Sequence, residues 1–239
     1  MVLWASIKKW VRRLVLVLLA IGIAGLFFYG TYEGYLRRNS IDVLASLDEP
    51  VVTVDGEQLV LRDLGFYILF QEHKVEEEAL IYNEKRSKDF WNIHTNGFFL
   101  QAQAKEAVLQ MAVHDRIFYR AAQEAGLVLT TEEKETLENA RTDFWADLYE
   151  EQLDRIPGTY ETVNETMKEI ALAEKYQFRL AKALDTTYAG LNWSGYDYGV
   201  LLEKEHEVKV NKRIWRRVVL GDITLVHGDI SYINAFDEK

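Results

Sequence analysis

The residues able to do acid–base, nucleophilic or metal chemistry are few and scattered. The five histidines stand at 73, 94, 114, 206 and 227. No two are spaced as His-x-x-x-His, and no His-Glu-x-x-His occurs, so the helical zinc-protease arrangement is excluded. The chain has 0 cysteines, which removes thiolate metal sites, thiol nucleophiles and disulfide frameworks. There is no Gly-x-Ser-x-Gly elbow, no phosphate-cradling glycine loop and no dinucleotide fingerprint. His114-Asp115 lies on a helix whose other faces are apolar, so the pair reads as a structural histidine with its partner. Glu132-Glu133 and Glu150-Glu151 read as solvated helix faces. The sequence therefore predicts no catalytic residue, no metal site and no cofactor.

Aromatic residues are a better lead, at 13% of the chain. A surface that holds many different apolar segments needs rigid rings and adaptable methionines, which offer contact area at small entropic cost. Phe90, Trp91, Phe98, Phe99, Met111, Phe118, Phe144, Trp145 and Tyr176 form the candidate peptide-binding set. The competing expectation is that these side chains fill a core between long helices. The set serves binding only if it forms one exposed patch.

The elements that must position these residues follow from pattern and punctuation. Residues 14–32 carry no charge, and at ~1.5 Å per residue they would span about 28 Å, close to the hydrocarbon thickness of a bilayer. This predicts an N-terminal transmembrane helix behind a cytoplasmic N-terminus at 1–13. Lys8, Lys9, Arg12 and Arg13 outnumber Arg37 and Arg38, which predicts a single-pass cell-membrane protein with an extracytoplasmic C-terminal domain. A spacer is expected at 33–49 and a folded domain at 50–239. All 38 acidic residues follow the apolar run, and the chain's net charge is -10, so nucleic acid is not an expected partner.

Within the domain, Val51-Val52-Thr53-Val54 reads as a strand, Asp55-Gly56 as a tight turn and Glu57–Val60 as the return strand. Helices are expected from about 61 to 84, 98 to 125, 131 to 153 and 161 to 184. Gly126 occupies the left-handed capping position of the second, and Thr130 with Glu133 makes a capping box for the third. Asn192–Gly195 is a loop and 196–205 a short helix. Glu207–Val210 is a strand expected to pair with Val51–Val54.

This order of elements resembles the N-terminal peptide-binding domain of SurA-like and PrsA-like foldases, related to the trigger-factor chaperone domain. The resemblance rests on Val51-Val52-Thr53-Val54-Asp55-Gly56-Glu57, on residues 112–127 ending in Ala125-Gly126-Leu127, on Thr130-Thr131-Glu132-Glu133 and on Ala173-Glu174-Lys175-Tyr176. It frames residues from about 50 to 180. It implies a mainly α domain with a small β element, acting as an ATP-independent chaperone-like module for unfolded or exported polypeptide. Many members carry a parvulin-type prolyl isomerase domain. Too few residues follow Leu184 for one, so the resemblance implies a module without it, and a prolyl isomerase is only a distant alternative. The other expectation is a structural subunit that docks one fixed protein partner of an envelope or secretion complex. Tyr196-Asp197-Tyr198 and Lys212–Arg217 are its candidate contacts.

Overall fold

The computed structural model describes residues 15, 17–26, 40–95 and 98–227. The chain divides into two compact units, Met1–Ser40 and Ile41–Lys239. In the first, residues 15 and 17–26 are helical and exposed. No helix among the described residues is long and apolar enough to cross a membrane. The expected transmembrane helix at 14–32 is corrected accordingly. Residues 14, 16 and 27–32 lie outside the described residues, as do 1–13 and 33–39 with the flanking charges that set the expected orientation.

The second unit is mainly helical and begins earlier than 50. Residues 41–49, read as the end of a spacer, fold onto the domain: Val43 is buried, Ile41 N–H donates to Arg217 O at 2.9 Å and Leu61 N–H to Glu49 O at 3.0 Å. β1 (Pro50–Val54) and β2 (Glu57–Val60) form the hairpin. Its turn residues Asp55 and Gly56 have φ of 49° and 87°, the double left-handed geometry of a two-residue type I′ turn. Asp55 also reaches across the sheet. Its Oδ1 accepts from Glu207 N–H at 2.8 Å and its Oδ2 meets His206 Nδ1 at 2.7 Å. That fixes the entry of β5 (Val208–Val210), which pairs antiparallel with β1 through Val52–Val210 and Val54–Val208. The order is β2-β1-β5, so the predicted pairing of the late strand with the first one forms. A second ribbon joins β3 (His94–Thr95) to β4 (Phe98–Phe99).

Helices cover the sheet. A 3-10 turn at Leu61–Leu64 leads into α1 (Gly65–Asn83). Short α2 (Ser87–Trp91) precedes the second ribbon, and α3 (Leu100–Glu124) follows it. α3 ends in a Schellman cap: Leu127 N–H donates to Ala122 O at 2.9 Å, Gly126 N–H to Gln123 O at 2.9 Å, and Gly126 takes φ 63°. α4 (Thr131–Asp147) starts with the expected capping box, Glu133 N–H to Thr130 Oγ1 at 3.2 Å and Thr130 N–H to Glu133 Oε2 at 2.7 Å. It ends at Leu148, and α5 (Glu150–Leu153) is a separate turn. α6 (Tyr160–Ala183), α7 (Tyr196–Glu205) and α8 (Lys212–Trp215) complete the set.

α3 and α6 form the central pair. Small residues on their buried faces, Ala104, Ala112, Ala173 and Ala181, permit close approach. Among the described residues after α8, 216–227, there is no strand; this segment wraps α1, burying Val218, Leu220, Ile223 and Leu225. Its anchor is Glu72, a fully buried carboxylate. Oε1 accepts from Gly221 N–H at 2.5 Å and Ile223 N–H at 3.2 Å; Oε2 accepts from Thr224 N–H at 2.7 Å and Thr224 Oγ1–H at 2.5 Å. One carboxylate thus satisfies three main-chain donors that would otherwise be buried and unpaired.

Candidate functional site

The nine candidate aromatic and methionine residues do not converge on one surface. Trp91 is 2% exposed and donates its ring N–H to Glu76 Oε2 at 2.8 Å. Phe118 is 1% exposed, with its ring centroid 5.9 Å from that of Tyr176. Met111 and Tyr176 are half-buried against the same core. Phe90 packs on Tyr82 at 5.4 Å. Phe144 lies 5.1 Å from Phe66, and Trp145 stacks on Tyr160 at 4.4 Å. Only Phe98 and Phe99, on the second ribbon, are widely exposed, at 65% and 50%. Most of the set therefore fills core, the competing expectation.

Two polar clusters have residue types suggestive of catalysis, and their geometry argues against it. Ser87, His227 and Glu76 carry the types of a hydrolase triad. Yet Ser87 Oγ (3.4 Å) and Glu76 Oε1 (3.7 Å) both face His227 Nδ1, while Nε2 is spent on the Gly221 carbonyl. A nucleophile and its orienting acid must sit on opposite ring nitrogens. Burial pulls the His227 ring down, but Glu76 and the Gly221 carbonyl outweigh it and leave the ring above its ordinary value. The second cluster is Tyr67, Asp115 and His114. Tyr67 O–H donates to Asp115 Oδ2 at 3.0 Å, Asp115 Oδ1 meets His114 Nδ1 at 2.7 Å, and His114 Nε2 donates to Leu191 O at 3.0 Å. Burial, then the Asp115 charge, push the Tyr67 hydroxyl well above its ordinary range, so it stays a donor. The chain of bonds locks α1, α3 and the 3-10 turn at Ala189–Leu191 together. Among the described residues no group of three or more His, Cys, Asp or Glu is placed to hold a metal ion.

Among the described residues, one feature with room for a ligand is a cleft of about 730 Å³ between α4 and α6, within the range of ligand sites. α4 explains it. Of its residues only Leu137 is buried, so it has too little apolar face to lie flush on α6. It is instead pinned at its two ends. Near its C-terminus Trp145 Nε1–H donates to Asn164 Oδ1 at 2.9 Å, and Arg141 donates to Asn164 O at 2.5 Å. Near its N-terminus Lys175 Nζ bonds Glu133 Oε2 at 2.6 Å and Val128 O at 3.0 Å. The Lys175 hydrogen bond holds the Glu133 carboxyl below its ordinary value. The helices are therefore antiparallel, and the cleft runs along α6 from between the pins to beyond the Lys175 end. Its walls are Phe66, Leu129, Leu137, Met167, Ile170 and Phe178, and its polar rim includes Glu133, Glu174, Lys175, Arg179 and Lys182. Burial pushes the Glu174 carboxyl up, and the Asp115 charge adds to that.

No family model, no curated protein and no solved structure matches the chain.

The resemblance read above thus rests on the residue runs quoted for it and their order alone. None of the nine candidate residues lines the cleft. The sequence did carry one signal for it. Residues 131–147 hold a single aliphatic core residue, Leu137, ahead of the Phe144-Trp145 pair, the pattern of a helix that bridges rather than packs.

Proposed function

We propose that the domain is an ATP-independent holding module that takes apolar segments of non-native polypeptide into the α4–α6 cleft. The observation that carries this reading is the cleft itself: an apolar trough with a charged rim, roofed by a helix with one buried residue, Leu137. An apolar wall without a ring of convergent polar groups gives affinity with little sequence preference, which is what a holdase requires. Clusters with catalytic residue types elsewhere in the domain are consumed by structural bonds.

The test is suppression of light scattering for two unrelated, thermally unfolding client proteins, comparing the wild-type protein with Ala140→Glu/Phe178→Glu. Phe178 lines the cleft at 53% exposure and Ala140 is exposed on α4, so both substitutions spare the core. The expected result is suppression of both clients by the wild type and loss of it in the variant, with unchanged circular dichroism. No suppression of either client would sink the holding role and favour a subunit that docks one fixed partner. Full suppression by the variant would move the binding site away from the cleft.

A further inference from the structure

The cleft is chemically asymmetric along its length. Its inner part is floored by the buried Leu137 and Met167, with the more accessible Ala140, Ile170 and Ala171 along it. Beyond the N-terminus of α4, the wall consists of successive turns of α6 and of Tyr188, and here the charges concentrate. Lys175 is neutralised by Glu133 at 2.6 Å. Arg179 and Lys182 are not. Both are exposed; Arg179 has no ion-pair or hydrogen-bond partner among the described residues, and the Lys182 ammonium rests 4.2 Å from the Phe178 ring centroid with no carboxylate beside it. Two cations without an ion pair thus stand at the mouth of an apolar trough. The remaining acid of this wall is Glu174, whose carboxyl burial pushes up from its ordinary value.

Resting on the holding reading above, we infer that the cleft prefers segments in which apolar residues are followed by carboxylates, the apolar part lying along Ala140, Ile170 and Ala171 and the acidic part at Arg179 and Lys182. The physical basis is that a planar guanidinium and an ammonium already poised beside Phe178 gain charge-assisted bonds on binding without breaking existing ion pairs. A basic segment would meet the same two cations as repulsion, so the preference includes rejection as well as attraction. The rim is solvated, so the preference weakens as salt rises.

The experiment uses fluorescence anisotropy with the full-length protein and three dye-labelled peptides. They share one Leu/Phe core and end in Asp-Asp, Asn-Asn or Lys-Lys. The expected order of affinity is Asp, then Asn, then Lys, with about tenfold between the first two. Arg179→Gln/Lys182→Gln flattens the order, and Arg179→Glu/Lys182→Glu reverses it. Equal binding of the three peptides by the wild type would overturn the inference and leave the holding reading standing. No binding of any peptide would overturn both. Displacement of the Asp peptide by dodecanoate at far lower concentration than by the unlabelled Asp peptide would overturn it too, by assigning the cleft to a small amphiphile.

Discussion

Replacing Glu72 tests the physical account of how the domain is closed. Glu72→Ala removes the acceptor of three buried main-chain donors, Gly221, Ile223 and Thr224, and of the Thr224 hydroxyl. A buried donor left unpaired costs about 1–3 kcal/mol. Partial hydration of the loosened segment relieves some of that, and removing a carboxylate whose burial pushes its proton affinity up returns part of the desolvation cost. The net expectation for Glu72→Ala is a loss of about 4 kcal/mol, a large share of ordinary domain stability. Glu72→Gln keeps one carbonyl oxygen for Gly221 and Ile223 but turns an amide N–H towards the Thr224 donors, so about 2 kcal/mol is lost. Urea unfolding followed by tryptophan fluorescence measures both, since Trp91 lies against Gly221. Hydrogen exchange at residues 218–225 should rise in step. Destabilisation below ~1 kcal/mol for Glu72→Ala, or a stabilised Glu72→Gln, would show that desolvation outweighs the four bonds and would refute the reasoning.

Other expectations follow from single contacts. Gly65→Ala places a Cβ 2.1 Å from the Pro157 carbonyl oxygen, so backbone must move and unfolding free energy should fall by about 2 kcal/mol or more. Lys175→Ala unpins the N-terminal end of α4; amide exchange over 131–137 should quicken about fivefold with little change in global stability, since the pair is partly exposed. Burial lowers the Lys105 ammonium to about 8, with its Nζ donating to Val218 O at 2.8 Å. In the unfolded chain a lysine titrates near 10.5. Between those values the unfolded state binds more protons, so Lys105 makes stability rise with pH from about 8 to about 10.5. NMR titration of its side chain should show the depressed midpoint, and Lys105→Met should remove that rise.

Features written in local chemistry were legible in the sequence. Asp55-Gly56, the Gly126 cap and the Thr130–Glu133 box depend on a few adjacent residues, and each forms where its residues stand. Even the long-range pairing of β5 with β1 followed from two short β-branched runs. What failed depended on partners far away in the chain. Glu72 and Glu76 sit in the run Gln-Glu-His-Lys-Val-Glu-Glu-Glu, which reads as a solvated helix face. They are buried because residues after 217 fold over them, and no local pattern reveals that. The aromatic candidates were chosen by type, and type does not separate Phe118 in the core from Phe98 on the surface. The apolar run at 14–32 was read from its hydropathy and flanking charges, while no helix among the described residues is long and apolar enough to cross a membrane.

The placement of β1 between β2 and β5 has a consequence for biosynthesis. Val52 and Val54 emerge from the ribosome some 150 residues before Val210 and Val208, their partners. Until those arrive, β1 offers a bare hydrogen-bonding edge with three valines, Val51, Val52 and Val54, that are buried in the finished domain. Such an edge is a template for pairing with another chain. Sequence-distant closure also slows folding, because the entropy of a long loop is lost before its contacts form. The nascent domain thus keeps an open β1 edge until residue 210 has been made, and the segment clasped by Glu72 closes only after that.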